Sequence, residues 1–519
     1  MRKVGFLALG FLLAANIAQA QTLNRGNGAE PDSLDPQFAG SVAEENILND
    51  LMVGLTTLDA AARPIPGIAE SWSVSPDGLT WTFHLRKAQW SDGQPVTADD
   101  FLFAYRRLLD PKTASRYAYN LWLLKNAQAV NSGKLPPAAL GVDAPKPDTL
   151  VLHLEHPAPY LPELLTHPSA MPLPHSIVTT KGAAWARPGA YVSDGPYLLK
   201  EWEPNDHILL MRNPRFYDAA HVRIATVNYY PTGDADAALR RFRAGELDLQ
   251  SPVPDSQTAW LRTNMPGVLH VTPSLALVYI AFNLSLPKLG DVRIRRAINM
   301  AFDRETVTAK VLKRGEPAAY GYVPPGTANY PATASMDFRT LPQPARLAGA
   351  QSLMRAAGYG PSRHLALVYE TTGNPDNRRT AVVLQAMLKP IFVDLAIRTV
   401  ELQVHLRDLG QHQFELGSAS WYADFNDASN FLDLLRAGAG NNYAGYRNPR
   451  FDAAMDKAQK DAAPAIRSRD LQSAEAIALS DYPWIPARFP SQSDVVNPRV
   501  GGWIANIRDF QPTRWLWIR

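Results

Sequence analysis

Between Thr80 and Arg86 the apolar residues Trp81, Phe83 and Leu85 alternate with polar ones, the period of a strand with one buried face. The turn signal Asp77-Gly78 leads into it, and His84 falls on the polar side, toward solvent. Residues 23–27 read as a second short strand. Residues 151–156 read as a third, in which strict alternation puts His153 and Glu155 on one face and His156 on the other, with Pro157 ending the run. Three such side chains do not converge on a metal ion. Helical spacing takes over elsewhere. One helix is expected over residues 43–53. Another begins at Ala98 behind the capping Thr97, with Asp99 and Asp100 suited to the positive helix start, and stops at Asp110-Pro111. Asp236 to Arg243 reads as a helix closed by Gly245 and followed by a strand over residues 247–249. From Val292, the residues Ile294, Ala297, Ile298, Ala301 and Phe302 share one face, and Arg293, Arg295 and Arg296 are assigned to a solvated one. Helices alternate with strands, so the class is α/β with α+β elements mixed in.

The first twenty residues follow a different pattern. Arg2 and Lys3 precede an apolar run over residues 4–15, which gives way to Ala18-Gln19-Ala20, a small-x-small exit. This order is that of a secretory signal peptide, and the mature chain is expected to start near Gln21. A run of about a dozen apolar residues is shorter than the roughly 20 that a membrane span needs. The sequence contains no cysteine, which excludes a cysteine-linked lipid anchor, disulfides, thiolate catalysis and cysteine-ligated metals. Lysine and arginine number 52 against 49 acidic residues, and removing Arg2 and Lys3 with the leader brings the charge close to zero. Neither nucleic acid nor an acidic membrane surface is an expected partner. A chain of 519 residues suggests two to four domains.

Local catalytic signatures are missing: there is no G-x-S-x-G elbow, H-E-x-x-H pair, P-loop lysine or Rossmann glycine pattern. The enzyme reading left open is a secreted hydrolase whose two carboxylates come from distant parts of the chain.

Four segments carry a resemblance. The first is Leu23-Asn24-Arg25-Gly26-Asn27-Gly28-Ala29-Glu30-Pro31-Asp32-Ser33-Leu34-Asp35-Pro36. The second runs through Pro66-Gly67-Ile68-Ala69-Glu70-Ser71-Trp72 and Trp81 to Arg86, to Trp90-Ser91-Asp92-Gly93-Gln94-Pro95-Val96-Thr97-Ala98-Asp99-Asp100-Phe101. The third is Asp194-Gly195-Pro196-Tyr197 with Arg212-Asn213-Pro214, and the fourth is Trp421-Tyr422-Ala423-Asp424-Phe425-Asn426-Asp427. In this order, over essentially the whole mature chain, they resemble the extracellular solute-binding proteins of bacterial family 5, the peptide, dipeptide and nickel group.

The resemblance implies an α/β clamp of the periplasmic binding protein kind, type II and cluster C, with three lobes. A discontinuous domain I is expected over residues 21–52, 175–275 and 492–519, an inserted domain II over 53–174, and domain III over 276–491. It also implies a monomer of the periplasm that takes no cofactor or metal, closes over a short peptide without turnover, and hands it to an inner-membrane ABC permease with its ATPases. Murein peptides, nickel, haem and oligosaccharides are the alternative ligands of this fold.

By the same resemblance Asp424 meets the ligand's α-ammonium, while Asp427 is read as a helix cap. Ser41, Val42 and Ala43, with the backbone near Ser420 and Trp421, pair with the peptide main chain, and Trp421 either lines a pocket or belongs to the core. Peptide-binding members often carry an arginine six residues before the aspartate, where this chain has Ser418. Asn374-Pro375-Asp376-Asn377-Arg378-Arg379 instead looks like the dipeptide type, in which Arg378 or Arg379 holds the ligand carboxylate. Lys310 and Lys313 are weaker candidates for that role.

Overall fold

The computed structural model describes residues 21–519, so the expected leader lies outside the described residues. Three sheets carry the fold. The largest has seven strands in the order Leu269–Pro273, Ser491–Val496, Leu249–Gln250, Thr22–Gly26, Thr226–Tyr230, His207–Arg212 and Tyr197–Glu203. Thr22–Gly26 lies parallel to both its neighbours, which buries it on its two edges. Its inward Arg25 is buried too, with its guanidinium bonded to the Gln511 carbonyl and the Thr513 hydroxyl.

A four-stranded antiparallel sheet follows the order Ala69–Val74, Thr80–Leu85, Thr149–His153 and Val142–Lys146. Trp81, Phe83 and Leu85 are buried and His84 is exposed, as the alternation requires. Helix Ala98–Leu109 starts with a capping box between Thr97 and Asp100 and lays Phe101, Ala104, Tyr105 and Leu108 against this sheet. Full burial of each larger apolar side chain contributes about 1.5–3 kcal/mol. His153 is satisfied by Asp143 at 3.1 Å. The seven- and four-stranded sheets share one apolar core.

The third sheet has the order Val393–Val400, Leu365–Thr372, Leu416–Tyr422, Ala276–Phe282 and Trp484–Arg488, and it encloses a core of its own running from Leu275 to Phe489. Leu269–Pro273 pairs antiparallel with Ser491–Val496 in the first sheet, and Ala276–Phe282 pairs antiparallel with Trp484–Arg488 in the third. One two-stranded ribbon therefore runs from sheet to sheet. At its crossing the Ser274 N–H donates to the Pro490 carbonyl at 2.8 Å. The two sheets are thus linked through one pair of adjacent strands.

Three expectations change. The strand placed at residues 151–156 is Thr149–His153, with Glu155 beyond it accepting from the Asn126 N–H. The strand placed at residues 247–249 is Leu249–Gln250, because Asp248 turns its carboxylate to the Asn24 N–H and the Arg499 guanidinium. Arg295 does not belong to a solvated face. It is buried, and its guanidinium bonds the carbonyls of Leu289, Gly290 and Asp481, supplying donors to helix-end carbonyls that lack intrahelical partners. Arg293 and Arg296 do lie outward, paired with Asp291 and Asp337.

Candidate functional site

Strand Leu416–Tyr422 is held in register by Ala276–Phe282, with Leu277 opposite Trp421 and Ala276 opposite Tyr422. The Ala423 N–H donates to the Leu275 carbonyl at 2.9 Å, so Asp424 is the first residue to leave the ladder. Asn430 then fixes the loop from below, its side-chain oxygen accepting from the Trp421 indole at 2.7 Å and the Asp424 N–H at 3.4 Å. Trp421 is half-buried, packed against the third core.

Asp424 and Asp427 have different surroundings. Asp427 is buried, accepts from the Ser429 N–H and hydroxyl at the start of helix Ser429–Leu432, and takes both terminal nitrogens of Arg467 at 2.6 and 2.8 Å. It is a cap and an ion-pair partner. Asp424 points the other way and accepts from the Tyr119 hydroxyl at 3.2 Å. Neighbouring Phe425 stacks on Tyr160, centroids 4.7 Å apart. The loop thus touches the segment that carries the four-stranded sheet.

Around Asp424 that segment gathers a cluster the sequence did not reveal. The Tyr117 ring lies 4.5 Å from that of His167, and His167 Nε2 lies 3.4 Å from the Glu45 carboxylate on helix Val42–Leu51. Burial pushes the Asp424 carboxyl above its ordinary pKa, and Tyr119 and His167 offset this only in part. Glu45 is also penalised by burial, but its bond to His167 brings it below the ordinary value. Burial and the Asp424 charge push the Tyr119 hydroxyl far up, so it stays a donor. No lysine or arginine pairs with Asp424 among the described residues.

Ser41 caps helix Val42–Leu51 in a reciprocal box with Glu44, whose carboxylate also takes the N–H groups of Asp32, Ser33 and Gly40. Val42, 68% exposed, stands bare on the first turn. The helix end is fixed by the third motif: Asp194 accepts the Val53 N–H, Gly195 donates to the Leu51 carbonyl, and Asn213 donates to the Gly195 carbonyl. Ser41, Val42 and Ala43 border a cavity of about 360 Å³. Ser418 and Ser420 border another of about 330 Å³ on the third sheet. Gln492 lines both, so the two cavities meet at the ribbon.

Cations line the second cavity, though not through Arg378 or Arg379. Arg378 bonds the Gly373 carbonyl and Arg379 pairs with Asp376. The guanidinium groups on the cavity wall are those of Arg314, 2.8 Å from Asp376, and Arg488, which pairs with Glu316 and is two strands from Ser420 in register. Lys310 and Lys313 are exposed and do not line it. Ser418 is buried, its hydroxyl bonded to Thr371.

Comparison with known proteins agrees with this architecture. Residues 63–443 match the family described as bacterial extracellular solute-binding proteins, family 5 middle. The periplasmic oligopeptide-binding protein OppA of Escherichia coli is 35% identical over 504 residues, which cover 96% of this chain and 92% of that protein. Among solved structures, the unliganded open form of the murein tripeptide-binding protein MppA is 32% identical and superposes with a TM-score of 0.89, over 96% of this chain and 98% of that one. Haemophilus influenzae OppA in complex with the peptide RPPGFSPFR is 33% identical and superposes at 0.77, over 96% and 99%. The chain belongs to the family 5 bacterial extracellular solute-binding proteins.

Proposed function

We propose that this solute-binding protein captures short peptides in the periplasm and delivers them to an ABC importer, its two cavities closing on each other about the ribbon hinge. The carrying observation is Asp424: a partly buried carboxylate, opposed by a hydroxyl rather than by a cation, at a point where separate parts of the chain meet. A free α-ammonium satisfies it, and such a charge-assisted bond in a closed cleft is strong. Main-chain groups beside Ser41, Val42, Ser420 and Trp421 pair with the peptide backbone, which supports affinity without reading side chains.

The carboxylate end is assigned to the arginine wall. Arg314 and Arg488 line the cavity beside Ser420, Arg379 joins them through Asp376, and Arg378 lies on the same run. Residues 276–491 form the closing lobe, with 21–52, 175–275 and 492–519 as its counterpart and 53–174 inserted between. The higher superposition on an open, unliganded relative supports an open clamp. A leader over residues 1–20 directs export, and a monomer engages the permease and its ATPases in the closed form.

The protein binds without turnover. Incubation with a mixed pool of di- to pentapeptides, followed by native mass spectrometry, tests this: intact peptides retained by the protein are expected. Cleavage products growing with time establish a hydrolase, and a retained mass matching a metal, haem or sugar replaces the peptide reading. Murein peptides also carry a free ammonium, and the retained mass separates them from ordinary ones.

A further inference from the structure

Buried carboxylates in this fold are repeatedly matched to arginines. Asp35 pairs with Arg107, Asp248 with Arg499, Glu316 with Arg488 and Asp427 with Arg467, at distances between 2.6 and 2.8 Å. Others, such as Glu475, take backbone N–H groups and a tyrosine hydroxyl. Asp494 and Asp509 follow neither rule. Both line the cavity beside Val42, and neither has an ion pair among the described residues. Asp494 and Asp509 hydrogen-bond to each other, and Gln250 Oε1 in the same wall is buried without a protein hydrogen-bond partner. Asp494 is 5% exposed and Gln250 is 1% exposed.

The neighbouring groups do not neutralise the pair. Arg25 acts on both through its charge, but its guanidinium is bonded to the Gln511 carbonyl and the Thr513 hydroxyl. His270 faces Asp494 yet lies on the Trp503 ring, centroids 4.3 Å apart, where burial holds its imidazole below the ordinary pKa. Ser251 and Gln511 are the remaining polar neighbours. Burial raises both carboxyls, and the charge of Asp494 raises Asp509 further, so the two share one proton. Asp509 is also held at φ 51°, a left-handed conformation that costs a non-glycine residue energy. Two carboxylates short of a cation, the unpartnered Gln250 Oε1 and the half-buried Trp503 ring form the surroundings that a desolvated organic cation requires.

We propose that the cavity beside Val42 is a subsite for a cationic side chain of the bound peptide, lysine or arginine, received by Asp494 and Asp509 against Trp503. This deepens the peptide reading above and rests on it. Its volume of about 360 Å³ holds such a side chain with its water. Entry of the cation ionises the pair, and the shared proton leaves to solvent, so the charge gained equals the charge brought in.

The test is calorimetric titration of the full chain, at neutral pH, with tetra-alanine in which each position in turn is lysine or its uncharged near-isostere norleucine. At one position at least, lysine is expected to bind about tenfold tighter than norleucine, the ratio of one well-formed charged contact. Asp494→Asn and Asp509→Asn are each expected to reduce that ratio to near one. Equal binding of lysine and norleucine peptides at all positions overturns the subsite and leaves the peptide reading intact. That comparison uses the wild type alone and stands whether or not the variants fold. A lysine preference that survives in both folded variants also overturns it, and failure of every peptide to bind overturns the peptide reading and the subsite together.

Discussion

The Tyr119 hydroxyl donates to the Asp424 carboxylate at 3.2 Å across 305 positions of chain. The contact joins the loop after a third-sheet strand to a segment packed with the four-stranded sheet, and a neutral donor stands where the proposed ammonium belongs. A hydroxyl satisfies the carboxylate geometrically without neutralising it. Burial raises the carboxyl above its ordinary pKa, a penalty that a cationic ligand would offset.

Asp424→Asn keeps the shape and removes the charge. Affinity for a free-amine peptide is expected to fall by about 2–5 kcal/mol, the usual cost of stranding one member of a buried charged pair. The wild type should bind the N-acetylated peptide poorly, and the substitution should then change little, because both remove the same interaction. Tyr119→Phe deletes only a neutral hydrogen bond, worth about 0.5–1.5 kcal/mol. Titration calorimetry on the four combinations measures the coupling. Unchanged affinity of folded Asp424→Asn for the free-amine peptide refutes the anchor.

Three residues along, the expectation reverses. Arg467→Met leaves the Asp427 carboxylate buried without its bidentate partner, and the loss is expected to be about 3–5 kcal/mol of stability. Asp424→Asn should leave the unliganded protein at least as stable as wild type, since burial already disfavours the charge there. Thermal unfolding without ligand separates the two: the Arg467 variant should melt below wild type and the Asp424 variant should not.

Gly195 links a sequence motif to this site. A Cβ added there would lie 2.5 Å from the Leu51 carbonyl carbon and the Met52 nitrogen, both backbone atoms that cannot rotate aside. Gly195→Ala is expected to cost about 1–3 kcal/mol through overpacking and to lower the midpoint of thermal unfolding. Helix Val42–Leu51 presents Ser41 and Val42, so peptide affinity should fall as well. An unchanged unfolding midpoint would show that the helix end yields without cost.

The local periods announced the strand with Trp81, Phe83 and Leu85 and the helix with its Thr97–Asp100 box, since local spacing decides which side chains turn inward. The four quoted segments pointed to the clamp because each is tied to backbone geometry, as the Asp194, Gly195 and Asn213 bonds show. What stayed hidden depends on long-range pairing. Glu45, Tyr119 and His167 surround Asp424 from separate elements, and no spacing along the chain relates them. Arg488 reaches the cavity wall because Trp484–Arg488, late in the sequence, pairs with Ala276–Phe282, and Arg314 reaches it from the segment after Val307–Leu312. Arg295 misled for the opposite reason: its helical position predicts exposure, but helix-end carbonyls draw its guanidinium inward.

The paired acids at the other cavity give a pH-dependent stability whose sign is fixed. Burial, and then the charge of Asp494, push Asp509 up to about 9 from the ordinary 3.8. The folded state thus binds a proton that the unfolded state releases, and stability contributed by this group declines as pH rises between about 4 and about 9. Below that window Asp509 is protonated in both states, and the neutral amide of Asp509→Asn resembles it. Above pH 4 the wild type alone carries the growing penalty, while the amide still donates to Asp494. Arg25 and His270 face the pair in both proteins and cancel from the comparison. The unfolding midpoint of Asp509→Asn should therefore match wild type near pH 4 and exceed it progressively toward pH 9. A difference between the two proteins that stays constant with pH would show that Asp509 is ionised in the folded state throughout, and that no proton is shared.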